Sequence, residues 1–361
     1  DSVVYNANKE KEEKIAQILI MTGKEQANVP ELHAGDIGAV AKLSVTGTGD
    51  TLCTKANPVI LDPIDFPKPT LSIAIEPKSK GDEDKLSGAI QRILEEDPTI
   101  TLEKNAETKQ TILTAMGDTH VDNIIEKLTR KYGVDVITRE MRIPYRETIR
   151  ATVEVEGKHK KQTGGHGQYG HVWIKFEPYT EGEFAFEENV FGGSVPRNYF
   201  PAVEKGLIEA MEDGVLAGYQ VTNIKATLYD GSYHSVDSSE MAFKMAARIA
   251  FRKGMETAKP VLLEPIMNVE ILVPDAFMGD IIGDINTKRG RVLGMEPAGN
   301  KQMIKAQVPL AEMARYTIDL KSITQGRGKF RMEFSHYEEV PAQNAEKIIE
   351  QARREKEEND K

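Results

Sequence analysis

The chain reads as an α+β protein of several domains, and three observations carry that reading. The order β-α-β-β-α-β occurs twice, within residues 67–141 and again within residues 264–340, and residues 142–263 between them follow another pattern. A stretch with four prolines, Asn57–Pro69, separates an all-β beginning from the first repeat of that order. At 361 residues the chain also exceeds one ordinary core, and about 150 residues per domain predicts two or three.

Residues 1–66 carry short apolar runs such as IAQILIMTG, punctuated by Gly and Asp, and predict strands of a partial β-barrel. LSIAIEP (71–77) alternates as a strand. Residues 82–98 put Leu86, Ala89, Ile90, Ile93 and Leu94 at helical spacing before Pro98. ITLEK and QTILTA predict a hairpin. Residues 118–133 predict a second amphipathic helix stopped by Gly133, and VDVITR a closing strand. This is the split βαβ order of a ferredoxin-like domain.

The middle module begins with YRETIRATVEVEG, expected as one strand, and then a glycine-rich run. HVWIKFEP follows as a strand, PRNYFPAVEKGLIEAMEDG as a helix, YQVTNIKATLYDG as a strand and SSEMAFKMAARIAFRKGMET as a long helix. Asp237 or Ser238 is expected to cap that helix. The second ferredoxin-like unit runs from IMNVEILVP (266–274) through a helix ending at Gly290, two strands, the helix LAEMARYTIDLKS and the strand KFRMEFSHY. A charged helix over 341–361 closes the chain. No residue identity links the two βαββαβ units, so they share architecture only.

Composition narrows the function classes. Hydrophobic residues make up 39% and charged residues 29%, ordinary for a soluble protein, and no apolar run approaches the ~20 residues of a membrane span. The single cysteine, Cys53, excludes an internal disulfide framework and fits a reducing cytoplasm. The N-terminus lacks the apolar core of a signal peptide. It opens at Asp1 in what reads as a strand, as a segment cut from a longer chain would. A net charge of −10 argues against a non-specific nucleic-acid coat. Local basic surfaces survive: Lys158, Lys160, Lys161 and Lys175 stand between Gly157 and Lys175 with no acid among them, alongside His159, His166 and His171.

Gly165-His166-Gly167-Gln168-Tyr169-Gly170 spells G-x-G-x-x-G. A dinucleotide site needs a strand before the glycines and a helix after them, so that pyrophosphate meets a helix N-terminus. Here His171-Val172-Trp173-Ile174-Lys175-Phe176 reads as a strand, which argues against a dinucleotide-binding enzyme. Two readings stay open for a hairpin tip with Gly164, Gly165, Gly167 and Gly170. Either its backbone, Gln168, Tyr169 and lysines meet RNA, or it is a flexible turn with a solvated basic rim. A second loop, LYDGSYHSVDSSE (228–240), precedes a helix on which Lys244, Arg248 and Arg252 recur at i, i+4, i+8 as one basic stripe. The histidines lack carboxylate or Cys partners at metal-ligand spacing. His120 reads as a packing residue, Gly192–Pro196 as a turn entering a helix, and Trp173 as core.

The runs KQTGGHGQYGHVWIKFEP, LYDGSYHSVDSSEMAFKMA, EPIMNVEILVP, GDIIGDINTKRGRVLGMEP and VPLAEMARYTIDLKSITQGRGKF together resemble elongation factor G, the bacterial ribosomal translocase, or a paralogue of it. The match runs over nearly the whole chain and corresponds to the portion C-terminal to the GTPase domain. The resemblance implies that 1–66 is most of the second-domain barrel and 67–141 domain three. Residues 142–263 would be domain four, of the ribosomal-protein-S5-like α/β type, with a left-handed crossover and a tip that mimics transfer RNA. Residues 264–340 would be domain five.

It also implies partners: the ribosome through the RNA of both subunits, and the tRNA–mRNA complex, with the factor acting as a cytoplasmic monomer away from membranes. The tip would be the loops Gly164–Gly170 and Gly231-Ser232-Tyr233-His234, with His234 at the apex. Lys288, Arg289, Arg291, Arg327 and Lys329 would face large-subunit RNA. GTP and Mg²⁺ would bind the preceding domain, since no G-x-x-x-x-G-K-[ST] occurs here, and this chain alone is not expected to be a catalyst.

The sequence departs from the family at His166, where Arg is usual, and at Ala115–Asp122, where the family reads Gly-Met-Gly-Glu-Leu-His-Leu-Glu. These changes suggest a paralogue. A ribosomal protection or recycling factor of the same architecture is the rival reading, and the intact SYHSVDSSEMAF run argues against the protection factor.

Overall fold

The computed structural model describes residues 2–105, 107–162 and 167–359, which fall into two compact units, Asp1–Met141 and Arg142–Lys361. In the first, β1 (Ser2–Asn6), β2 (Lys11–Ile15), β3 (Ile18–Thr22), β4 (Glu25–Val29), β5 (Ala39–Val40) and β6 (Leu52–Cys53) form two three-stranded sheets, ordered β2-β1-β6 and β4-β3-β5. No closed barrel forms among the described residues. What holds this part together is polar as much as apolar. Glu13 on β2 is buried, and its carboxylate accepts from the amides of Ser44, Val45 and Thr46 and from the hydroxyls of Ser44 and Thr46 at 2.8–3.1 Å. Those donors, the Ser44 amide foremost, hold its pKa down to about 2.

The rest of this unit matches the expected βαββαβ order. β7 (Leu71–Pro77), α1 (Glu83–Glu96), β8 (Thr101–Lys104), β9 (Thr111–Ala115), α2 (Asp118–Tyr132) and β10 (Val136–Arg139) give a sheet ordered β10-β7-β9-β8, fully antiparallel. Leu86, Ile90 and Ile93 of α1 meet Leu113, Ile124 and Leu128 in one core, as their helical and alternating spacing requires. Gly133 ends α2 at φ +65°, the left-handed cap that glycine adopts without steric cost. His120 accepts from the Met116 amide through Nδ1 (3.3 Å) and pairs through Nε2 with Asp97 (2.9 Å), which makes it a satisfied packing histidine.

The second unit starts at Arg142. The expected strand 145–157 is two strands in two sheets: β11 (Arg146–Ile149) and β12 (Val153–Lys161). β12, β13 (Gln168–Pro178), β14 (Phe184–Glu188) and β15 (Ile224–Ser232) form a sheet ordered β12-β13-β15-β14. β14 escaped the sequence reading because FAFEE is short and half exposed. It lies parallel to β15, and α3 (Phe200–Met211) makes the crossover between them. α3 and α4 (Glu240–Thr257) cover one face, burying Val172, Ile174, Phe176, Ile224, Ala226 and Leu228 against Val203, Leu207, Phe243, Ala247 and Phe251. α4 is capped by Ser239, whose Oγ accepts from the Ala242 amide, rather than by Asp237 or Ser238.

β16 (Pro260–Pro274) starts six residues before the apolar run that announced it, and Leu263 pairs on both edges. β11 occupies one side there, and β19 (Lys329–Glu339) the other. With α5 (Met278–Thr287), β17 (Arg291–Ala298) and β18 (Lys301–Pro309), the sheet reads β19-β16-β18-β17, the second ferredoxin-like order. The helix expected over 310–322 is broken into α6 (Leu310–Met313) and α7 (Tyr316–Ile323), and α8 (Ala342–Asn359) follows.

Glu147 on β11 is the anchor between these two sheets. Its carboxylate accepts from the amides of Leu216, Ala217, Gly218 and Tyr219 at 2.9–3.2 Å, and the residue is 1% exposed. A strand of the 260–274 ladder thereby gathers the loop that follows α3.

Candidate nucleic-acid interface

The hairpin β12–β13 and the loop between β15 and α4 meet at one end of their sheet. Gln168 and Lys161 are the last pair of the hairpin ladder. Gly164, Gly165 and His166 lie outside the described residues. From Gly167 onward the strand is tied to the second loop: the Gly167 amide donates to Asp237 Oδ1 (2.9 Å), the Tyr169 amide to the Asp237 carbonyl (2.8 Å), and Ser238 Oγ to the Tyr169 carbonyl (2.9 Å). Asp237 and Ser238 therefore bind two loops together, a role that the DSS run did not disclose because it resembled an ordinary helix start.

The glycines serve this internal contact. A β-carbon built at Gly170 would stand 2.5 Å from the Ala242 carbonyl carbon and 2.8 Å from the Phe243 amide, with the Ala242 oxygen nearer still. One at Gly157 would stand 2.7 Å from Ala250 Cβ. The strands lie against the backbone of α4, so the glycines permit close approach of a helix. The strand expected after the glycines is present: β13 continues to Pro178 where a dinucleotide site would require a helix.

Side chains at this end form a connected polar set. Ser232 Oγ lies 2.7 Å from both Tyr169 OH and His171 Nδ1, and His171 Nε2 lies 3.0 Å from Glu156 Oε1 without hydrogen-bond alignment. His159 Nε2 pairs with Gln168 Oε1 (2.9 Å). His234 is exposed, and its Nδ1 accepts from the amides of Val236 and Asp237 (3.3 and 3.1 Å), which leaves Nε2 pointing away from the loop's own hydrogen bonds. Tyr233 and Val236 are exposed beside it. The Gly231 amide, which donates to Asp230 Oδ1 (2.8 Å), holds the Asp230 carboxyl below its usual range. Trp173, expected in the core, instead lies on the uncovered face of the sheet, tilted against Tyr229 at 6.5 Å, because its parity opposes that of Val172 and Ile174.

Residues 1–55 match the family described as Elongation factor G domain 2, and 66–140 Elongation Factor G, domain III. Residues 141–259 match Elongation factor G, domain IV, and 261–348 Elongation factor G C-terminus. The chain belongs to the elongation factor G family. It is a translation elongation factor-like protein. A crystal structure of a Thermus thermophilus protein superposes with a TM-score of 0.82 and 39% identity, over 98% of this chain and 53% of that one. The chain thus spans about half the length of that relative.

In this member of the elongation factor G family the basic residues predicted to face RNA divide into two sets. Lys158, Lys160, Lys161, Arg248 and Lys329 are exposed and have no carboxylate at ion-pair distance among the described residues. Arg291 donates to Gln307 Oε1, and Arg327 lies over the Phe277 ring at 4.6 Å. Arg252 is exposed but pairs with Glu256 (3.3 Å).

The other set is structural. Lys244 is held by Glu209 (2.6 Å), so the expected stripe along α4 loses its first member. Lys288 is pinned between Asp284 (3.0 Å) and Asp319 (2.9 Å). Arg289 donates twice to the buried Glu264 (2.6 and 2.9 Å) and once to Glu312 (2.9 Å). Those bonds, Glu264 first, raise its pKa above the usual arginine value. Sequence spacing could not reveal these acids, since the two that hold Arg289 stand 23 and 25 positions away on other elements. Among the described residues no three His, Cys, Asp or Glu side chains converge as metal ligands, and no helix is long and apolar enough to cross a membrane.

Proposed function

We propose that this chain is the ribosome-engaging portion of a translational GTPase, and that the end of domain four that includes 159–162, 167–171 and 231–239 promotes movement of the tRNA–mRNA complex. The observation that carries the reading is the clasp of the hairpin to the second loop through Asp237 and Ser238. It makes a stiff end of two loops that would otherwise flex separately.

Stiffness is what such a part needs. α4 starts at the clasp and runs back along the sheet for its 18 residues, about 27 Å of helix. At the far end Glu147 locks the module onto the β16 ladder. A displacement of domain five would then reach the tip without being absorbed between them. Exposed Lys158, Lys160 and Lys161 supply charge for phosphates, and Tyr169, Tyr233 and His234 supply rings and donors for RNA.

GTP and Mg²⁺ belong in this reading to a domain outside the chain, which has no phosphate-cradling loop of its own. The hydrolysis step would drive the change, and domain four would act as a pawl that prevents slipping back. The test is one-codon advance of messenger RNA on pre-translocation ribosomes, followed by primer-extension inhibition with the full-length factor. Advance establishes a translocase. Ribosome-dependent GTP hydrolysis without advance would assign the same architecture to recycling or protection.

A further inference from the structure

The segment from Asn189 to Tyr199, which joins β14 to α3, reaches the same end of domain four. Its ends are pinned. The Asn189 amide donates to the Leu228 carbonyl of β15 (2.8 Å), Val195 is buried against Gly231, and Tyr199 OH donates to the Ser238 carbonyl (3.3 Å) while its ring stacks on Phe243 at 4.5 Å. Between the pins the chain turns outward. Val190 packs against the core, but Phe191 is 94% exposed, more than any other large apolar side chain among the described residues.

Gly192 and Gly193 follow at φ +69° and +73°, two consecutive left-handed residues that reverse the chain directly after Phe191. The ring contributes nothing to the core, and the turn that presents it uses a conformation few residue pairs other than Gly-Gly adopt without strain. The ring precedes two glycines on an exposed turn and stands in solvent. A flat aromatic on a polar surface suits stacking on one exposed base, and Arg197, exposed in the same segment, adds a cation for the adjoining phosphate.

We propose that Phe191 is a third contact of this end of domain four and stacks on an unpaired RNA base. The proposal rests on the reading that this end meets RNA, so its test separates the two. Phe191→p-benzoylphenylalanine and Tyr233→p-benzoylphenylalanine are made in the full-length factor, bound to ribosomes and irradiated. A cross-link from position 191 to RNA, mapped as a reverse-transcription stop, is expected. Cross-linking from 233 to RNA with none from 191, or from 191 to a ribosomal protein alone, overturns the Phe191 contact and leaves the RNA-facing end intact. No RNA cross-link from either position overturns both.

In parallel, Phe191→Ala should slow single-round mRNA advance by about 5- to 150-fold, the range of one lost base–aromatic stack, and Phe191→Trp should restore it. Both variants should melt as the unmodified protein does, since the side chain is almost wholly solvated. An unchanged rate in Phe191→Ala would sink the proposal.

Discussion

Replacing Gly170 by Ala tests what the glycine run is for. The added methyl would meet the Ala242 carbonyl carbon at 2.5 Å, with the carbonyl oxygen nearer still, where ordinary contact begins at 3.4 Å, so β13 and the first turn of α4 must part by at least about 0.9 Å. Backbone on both sides cannot swing aside as a side chain would. The cost falls at the upper end of the overpacking range, about 3 kcal/mol. For a unit of this size that is a fall of about 6–12 °C in melting temperature. The same separation stretches the 2.8 Å bond from the Tyr169 amide to Asp237 and the 2.9 Å bond from Ser238 to Tyr169, so the clasp opens with it. Differential scanning calorimetry reads the first effect, and mRNA advance reads the second. Gly167→Ala is the comparison, since its β-carbon would meet only the Asp237 carboxylate, at 3.0 Å, and should cost less. A Gly170→Ala protein melting within about 2 °C of the parent would refute the close-approach argument.

Three further substitutions probe the frame around this end. Glu147→Gln leaves the Leu216 amide facing a side-chain NH₂ in a buried site and should cost about 2–4 kcal/mol by denaturant unfolding of the second unit. Arg289→Ala strands Glu264, whose side chain is 4% exposed, and should destabilise by about 3–5 kcal/mol, whereas Lys329→Ala should leave stability unchanged. In the first unit Glu13 and Asp50 both have pKa values lowered to about 2, from 4.5 and 3.8. Their contribution is complete above those usual values and is lost as pH falls through the lowered ones. Amide signals of Ser44–Thr46 should therefore persist in NMR spectra until pH nears about 2, and Glu13→Gln should disturb them already at neutral pH. Loss of those signals in the parent protein near the ordinary glutamate value of 4.5 would contradict the assignment.

Much of the architecture was legible because local physics wrote it. Leu86, Ile90 and Ile93 on α1 and the alternation of Val172, Ile174 and Phe176 on β13 each mark a buried face, and both βαββαβ orders follow from such runs. β14 was invisible for the opposite reason: it is a five-residue strand whose place depends on parallel pairing with a partner 40 positions later, Phe184 beside Ile224. The split between β11 and β12 was equally hidden. One alternating run serves two sheets, and only pairing with Pro260–Leu263 decides where it divides.

The candidate site divides along the same line. That residues 157–175 are basic, glycine-rich and acid-free is a property of composition, and so is the family pattern of the loops. Which glycine meets a helix, which lysine is held by Glu209 or Asp319, and which aromatic is left in solvent are properties of distance between residues remote in sequence. By itself the sequence determined the family, the order of domains and the end of domain four that carries the charge, because these rest on periodicity and motif. The tertiary structure alone decided that Gly170 lies against α4, that Arg289 neutralises Glu264, and that Phe191 is left in solvent, because each depends on how residues remote in sequence pack.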